Sequence, residues 1–159
     1  MDKHQTILFV CTGNTCRSSM AEAITKQKLK EAKIDPDRIR VISAGTGAFD
    51  GSPAAPNAVD VLKEKGIDLT CHRSKRINPQ MLKDVDYIFT MTVIQKQQVL
   101  FIHPEGSEKT FTLKEFAFSS PQSDLNIADP YGGDQDCYRK CAVQLEEVIT
   151  KVIEKVLEG

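Results

Sequence analysis

No stretch of this 159-residue chain approaches the ~20 consecutive apolar residues that a helix needs to cross a bilayer. Met1 to Thr6 is polar, and the apolar stretch Ile7 to Val10 is too short for the core of a secretory signal. An excess of charge of one sign is also missing. Against 21 Lys and Arg stand 22 Asp and Glu, a formal net charge of −1. This excludes a broad basic footprint for nucleic acid and a strongly acidic tail. The five cysteines, Cys11, Cys16, Cys71, Cys137 and Cys141, are an odd number with no leader before them. That argues against an extracellular disulfide framework. Cys137 and Cys141 lie one helical turn apart, but no second ligand pair flanks them, and His4, His72 and His103 are scattered. Structural zinc wants four ligands, so these two cysteines are expected simply to share a helix face, and no metal is expected. There is no internal repeat, low-complexity tract or Ser/Gly linker. What remains is a single cytoplasmic, enzyme-sized domain over residues 1–159, with no membrane or nucleic-acid partner and a monomer expected.

The residues present read as an ordinary globular core, 40% apolar and 27% charged. Gln5 to Val10 ends in the continuous apolar run Ile-Leu-Phe-Val, suited to a buried strand. Ser18 to Ala32 reads as a helix with Met20, Ala23, Ile24 and Leu29 on its apolar side. Further strands are expected at Ile39–Ser43, Asp86–Thr90 and Lys109–Leu113. Further helices are expected at Pro56–Lys65, stopped by Gly66, and at Val93–Ile102, halting before Pro104. The last helix, about Gln135 to Leu157, is the clearest: Cys141, Leu145, Val148, Ile149, Val152, Ile153 and Val156 form one stripe. Strands alternating with helices predict an α/β fold, a parallel sheet wrapped on both faces by right-handed crossovers. Ligands bind such sheets beyond the carboxyl ends of the strands.

The loop after the first strand reads Cys11-Thr12-Gly13-Asn14-Thr15-Cys16-Arg17-Ser18 and runs into a helix. Gly13 and Asn14 are residue types that tolerate left-handed backbone, so the loop can curl until its N–H groups point inward. Amides gathered at a helix N-terminus make an anion site. Arg17 can close that ring and grip two phosphate oxygens. Helix N-termini and cations also favour thiolates in general. A sulfur nucleophile beneath a phosphate cradle suits in-line phosphoryl transfer. No Gly-Lys-Ser/Thr is present, so this is not a Walker nucleotide loop. Asp129-Pro130, read alone, is a turn. His72 alone is a hydrogen-bonded structural histidine and Tyr131 a half-buried packing residue. Lys75 and Arg76, beside Arg73, read as a solvated face.

Taken together, Val10 to Ser18, Ser43-Ala44-Gly45, His72-Arg73-Ser74 and Asp129-Pro130-Tyr131 resemble the low molecular weight protein tyrosine phosphatases, over essentially the whole chain. The resemblance implies a four-stranded parallel sheet with helices on both faces and a phosphate-binding loop after the first strand. It implies phosphorylated protein substrates and no metal or other cofactor. Cys11 would be the nucleophile, forming a phosphocysteine. Arg17 and the loop from Thr12 through Ser18 would hold the phosphoryl oxygens, and Asp129 would act as acid and then base. Ser18 would donate to the Cys11 sulfur. Asn14, Ser43 and His72 would brace the loop, and Tyr131 would wall the pocket. The resemblance further implies a Cys11–Cys16 disulfide under peroxide.

Two positions depart from the tyrosine-specific members. Thr15 stands where a bulky aliphatic residue is common, and Tyr131 is followed by Gly132-Gly133 rather than a second tyrosine. Both features, with Phe111-Thr112-Leu113-Lys114-Glu115-Phe116, resemble the bacterial protein-arginine phosphatase branch. A threonine hydroxyl can hydrogen-bond polar groups or the incoming water, and Asp129 could pair with a guanidinium. Phosphoarginine is therefore the favoured substrate, phosphotyrosine the alternative. Arsenate reduction is a remote alternative, since it needs a mid-chain cysteine pair and only Cys71 lies between Cys16 and Cys137. A non-catalytic phosphopeptide reader would need neither Cys11 nor Asp129.

Overall fold

The computed structural model describes residues 4–119 and 122–159. The first strand, β1 (Gln5–Cys11), lies inside a four-stranded parallel sheet of order β2-β1-β3-β4. Its partners are β2 (Ile39–Gly45), β3 (Tyr87–Thr90) and β4 (Thr110–Thr112). The register pairs Ile7 with both Val41 and Tyr87, and Cys11 with Gly45.

The two-residue period of β1 sorts its run between two cores. Ile7, Phe9 and Cys11 face one cluster, Leu8 and Val10 the other. The first cluster is covered by α1 (Arg17–Glu31), α2 (Pro56–Glu64), α5 (Leu113–Ala117) and α6 (Gln135–Glu158). The second is covered by α3 (Pro79–Asp84) and α4 (Val93–Ile102). The predicted stripe of α6 is buried throughout, from Cys141 to Val156. On α1, Met20, Ile24 and Leu29 are buried, while Ala23 packs against the cluster from a partly exposed position.

Some expectations need correction. The fourth strand ends at Thr112 rather than Leu113, because a helix begins there: the Thr112 hydroxyl accepts from Glu115 N, and the Glu115 carboxylate accepts from Thr112 N. The short helix α3 escaped the sequence reading although Asn78 caps it and Pro79 opens it. Cys137 and Cys141 do lie one turn apart on α6, with Cys141 buried and Cys137 exposed. Lys75 and Arg76 are exposed, as a solvated pair should be. No helix among the described residues is long and apolar enough to cross a membrane.

Candidate active site

The carboxyl end of β1 delivers Cys11 to a loop that closes at the start of α1. Asn14 organises it. It is fully buried, and its φ of +57° puts it alone among the loop residues in the left-handed region, so Gly13 does not use the freedom read for it. Every polar group of Asn14 is engaged. Its N–H donates to Cys11 Sγ at 3.2 Å. Its Nδ2 donates to Ser18 Oγ at 2.8 Å and to Ser43 Oγ at 2.9 Å. Its Oδ1 accepts from Lys75 N at 2.9 Å. Its carbonyl lies 2.6 Å from His72 Nε2, and a carbonyl can only accept, so that nitrogen carries the proton. A chain of hydroxyls continues outward: Ser43 Oγ donates to Glu22 Oε1 at 2.6 Å.

Other backbone contacts fix the loop's path. Thr46 N and Gly47 N donate to the carbonyls of Cys11 and Thr12, and Ala55 N to that of Thr15. A Cβ at Gly45 would stand 2.3 Å from Thr12 O, so the backbones of β2 and the loop can approach this closely only with glycine there. Gln95, buried on α4, donates to Thr12 Oγ1 at 3.1 Å.

Above this frame lies the chemistry. Cys11 Sγ and Ser18 Oγ are 2.8 Å apart. Cys16 occupies the position before α1 and its side chain caps no amide, so the first N–H groups of the helix are left for another acceptor. Arg17 is 5% exposed. Its Nη1 donates to Ile127 O at 2.9 Å and its Nη2 lies 3.5 Å from Asp129 Oδ2. Ile127 is itself tied to the sheet, donating to Met91 O while Met91 N donates to Val10 O. That places the Asp129 loop over the same strand end as Cys11. Tyr131 N donates back to Asp129 Oδ1 at 3.0 Å.

These groups line a cleft of about 340 Å³, with Cys11, Asn14 and Arg17 among the lining residues and Asp129 and Tyr131 at one side. Thr12, Gly13, Thr15 and Cys16 line it too, whereas Ser18, Ser43 and His72 stand behind the loop. Tyr131 is 75% exposed, so it is a free-standing wall rather than the half-buried packing residue read from its type. Sequence reasoning missed a second aromatic lining the cleft, Phe49, which is 80% exposed. It missed Gln95, Glu22 and Ile127 O, whose contacts to Thr12, Ser43 and Arg17 span 83, 21 and 110 positions and carry no spacing signal. Cys16 meets Tyr138 Oη at 3.3 Å from α6. Burial raises the Cys16 thiol above its ordinary range, more than that hydrogen bond lowers it. Burial also pushes the neighbouring Cys141 thiol up to about 12.

The family described as low molecular weight phosphotyrosine protein phosphatase matches residues 6–159. The chain belongs to this family. A protein-arginine-phosphatase of Geobacillus stearothermophilus is 41% identical over 150 residues, 94% of this chain and 95% of its relative. A low molecular weight phosphotyrosine protein phosphatase of Schizosaccharomyces pombe is 35% identical, over 91% of this chain and 92% of its own. Among solved structures, a cysteine-to-serine mutant of the YwlE arginine phosphatase, with its active-site serine phosphorylated, superposes with a TM-score of 0.90. It is 34% identical and covers 98% of this chain and 97% of its own. The present chain is accordingly a phosphatase of the low molecular weight type, with the family's parallel four-stranded sheet and a phosphate-binding loop after β1.

Proposed function

We propose that residues 1–159 form one cytoplasmic phosphatase domain that hydrolyses phosphorylated protein side chains, phosphoarginine before phosphotyrosine. The observation that carries the reaction is the position of Cys11 Sγ. It sits at the floor of the cleft within hydrogen-bond reach of Asn14 N and Ser18 Oγ, with Arg17 beside it on the same loop. In the first step the Cys11 thiolate attacks phosphorus, the bond to the side-chain oxygen or nitrogen breaks, and Asp129 gives its proton to the leaving atom. In the second step water attacks the phosphocysteine and passes a proton to the Asp129 carboxylate. Cys11 leaves as thiolate, stabilised by the Ser18 hydroxyl. Arg17 and the loop amides from Thr12 to Ser18 hold the equatorial oxygens in both steps.

Substrate preference rests on Thr15. It lines the cleft next to Cys16, and among the described residues its hydroxyl makes only a long 3.8 Å contact, to Cys16 Sγ. It is thus available to a guanidinium or to the attacking water. The arginine phosphatases of Geobacillus stearothermophilus and Bacillus subtilis among its relatives favour the same reading. The exposed rings of Phe49 and Tyr131, which both line the cleft, favour phosphotyrosine as the second reading, because a phenyl ring gains from apolar walls. Parallel kinetics on phosphoarginine, phosphotyrosine and phosphoserine peptides test the proposal. A higher kcat/KM for phosphoarginine is expected, and equal or greater turnover of phosphotyrosine overturns the preference.

A further inference from the structure

One edge of the sheet is only partly closed. Among the strands of the sheet, β2 pairs with β1 alone. At its carboxyl end Gly45 N donates to Lys75 O at 2.9 Å, and Ile77 N donates to Gly45 O at 3.0 Å, so a short segment runs parallel beside it. The alternation of a strand turns the backbone groups of Ile39, Val41 and Ser43 the same way as those of Gly45. Among the described residues, their only backbone partner on that edge is Asp35 O, 3.4 Å from Ile39 N.

A groove of about 960 Å³ follows this open stretch between β2 and the later turns of α1, and ends at Lys75. Ile34 and Ile42, both partly exposed, supply apolar surface beside the buried side chains of Leu29, Ile39 and Val41. The cations Lys26, Lys30, Lys33, Arg40 and Lys75 outnumber the carboxylates Glu22 and Asp35 along it. In a chain whose formal charge is −1, this is a local excess of positive charge.

We propose that the groove binds an extended acidic segment of a partner protein, which adds to the free edge of β2 as a further strand. Open backbone donors and acceptors, apolar surface and a cationic rim meet in one place, and an extended chain with alternating apolar and acidic side chains satisfies all three. A simple polyanion would use the cations and leave the edge unpaired. An anionic membrane surface offers no ladder of backbone groups to match it. The segment from Ile39 to Ser43 accommodates about five residues of partner at ~3.3 Å each.

The test uses the full chain and a labelled peptide of alternating Glu and Val, six residues long, read by fluorescence anisotropy and amide exchange. Saturable binding is expected, with slowed exchange at Val41 and Ser43. Methylating alternate peptide nitrogens, in each of the two registers, is expected to weaken binding at least tenfold in one register. Replacing Glu by Lys in the peptide should abolish binding. Lys30→Glu with Arg40→Glu should weaken it at least tenfold at an unchanged thermal midpoint. No binding of the alternating peptide overturns the proposal, as does equal binding of both methylated peptides. So does binding of inorganic polyphosphate or phosphatidylserine vesicles in its place. The methylation arm uses the unmutated chain, so it decides the matter even if the double variant misfolds.

Discussion

Arg17 and Asp129 hold each other in the free protein: Nη2 of the buried guanidinium lies 3.5 Å from Oδ2 of a carboxylate that is half exposed. In the proposed mechanism, an arriving phosphoryl group competes with Asp129 for the same guanidinium. A half-exposed pair of this kind is worth only about 0.2–1 kcal/mol, so the competition is mild and readily reversed.

Asp129→Ala should separate the two consequences of that contact. Esters with poor leaving groups should lose about 10²–10⁴-fold in the first chemical step, and good leaving groups much less. Vanadate should bind up to about fivefold more tightly, since a competing carboxylate is gone. A uniform loss across a leaving-group series, with that step rate-limiting, would show that Asp129 is not the acid.

Cys11→Ser should abolish turnover while leaving oxyanion binding in place, because the cradle is built from Arg17 and the loop rather than from sulfur. The measurement is p-nitrophenyl phosphate turnover beside phosphate titration. Residual activity within tenfold of the unmutated enzyme would remove Cys11 from its role.

Asn14→Ala should cost on the order of 2–4 kcal/mol of stability, combining left-handed backbone strain with lost side-chain hydrogen bonds. Asn14→Gly keeps the backbone freedom and should recover about 1 kcal/mol of it. Denaturant unfolding of both variants reads the difference. Equal stability of the two would mean that the φ of +57° carries no strain.

Thr15→Ile should lower kcat/KM for phosphoarginine relative to phosphotyrosine by roughly ten- to a hundredfold, the worth of one polar contact of ~1–3 kcal/mol. Vanadate affinity should hardly change, which separates a lost contact from a distorted loop. If the ratio of the two kcat/KM values stays fixed, Thr15 is not the selector.

Peroxide should inactivate the enzyme reversibly through Cys11 and Cys16. Peroxide oxidises the Cys11 thiolate to sulfenic acid, then the Cys16 thiolate attacks that sulfur and displaces hydroxide. Burial raises the Cys16 thiol above its ordinary range, so its thiolate fraction is small at neutral pH and rises about tenfold per pH unit. Closure of the disulfide, followed by quenched mass spectrometry, should accelerate about tenfold per pH unit, roughly a hundredfold from pH 6 to 8. Recovery of Cys16→Ser with thiol as full as that of the unmutated enzyme would sink the protective role.

Local physics was enough for much of this protein. The continuous run Ile7 to Val10 suited a buried strand, and the stripe from Cys141 to Val156 one face of a helix, because the pattern of apolar residues reports burial. The loop from Cys11 to Ser18 suggested its proposed chemistry because Cys11, the left-handed Asn14 and Arg17 are neighbours in the chain. Long-range contacts lay beyond that reach. That Asn14 rather than Gly13 takes the positive φ, and that Ser43, His72 and Lys75 saturate its polar groups, follows from segments 29 to 61 positions away. Only the folded chain brings Asp129 to Arg17, by hanging Ile127 on Met91, and only it leaves Phe49 and Tyr131 standing free at the cleft mouth. A sequence records which groups are available within a turn or a strand; which distant backbones close on one another is settled by packing two cores on one sheet.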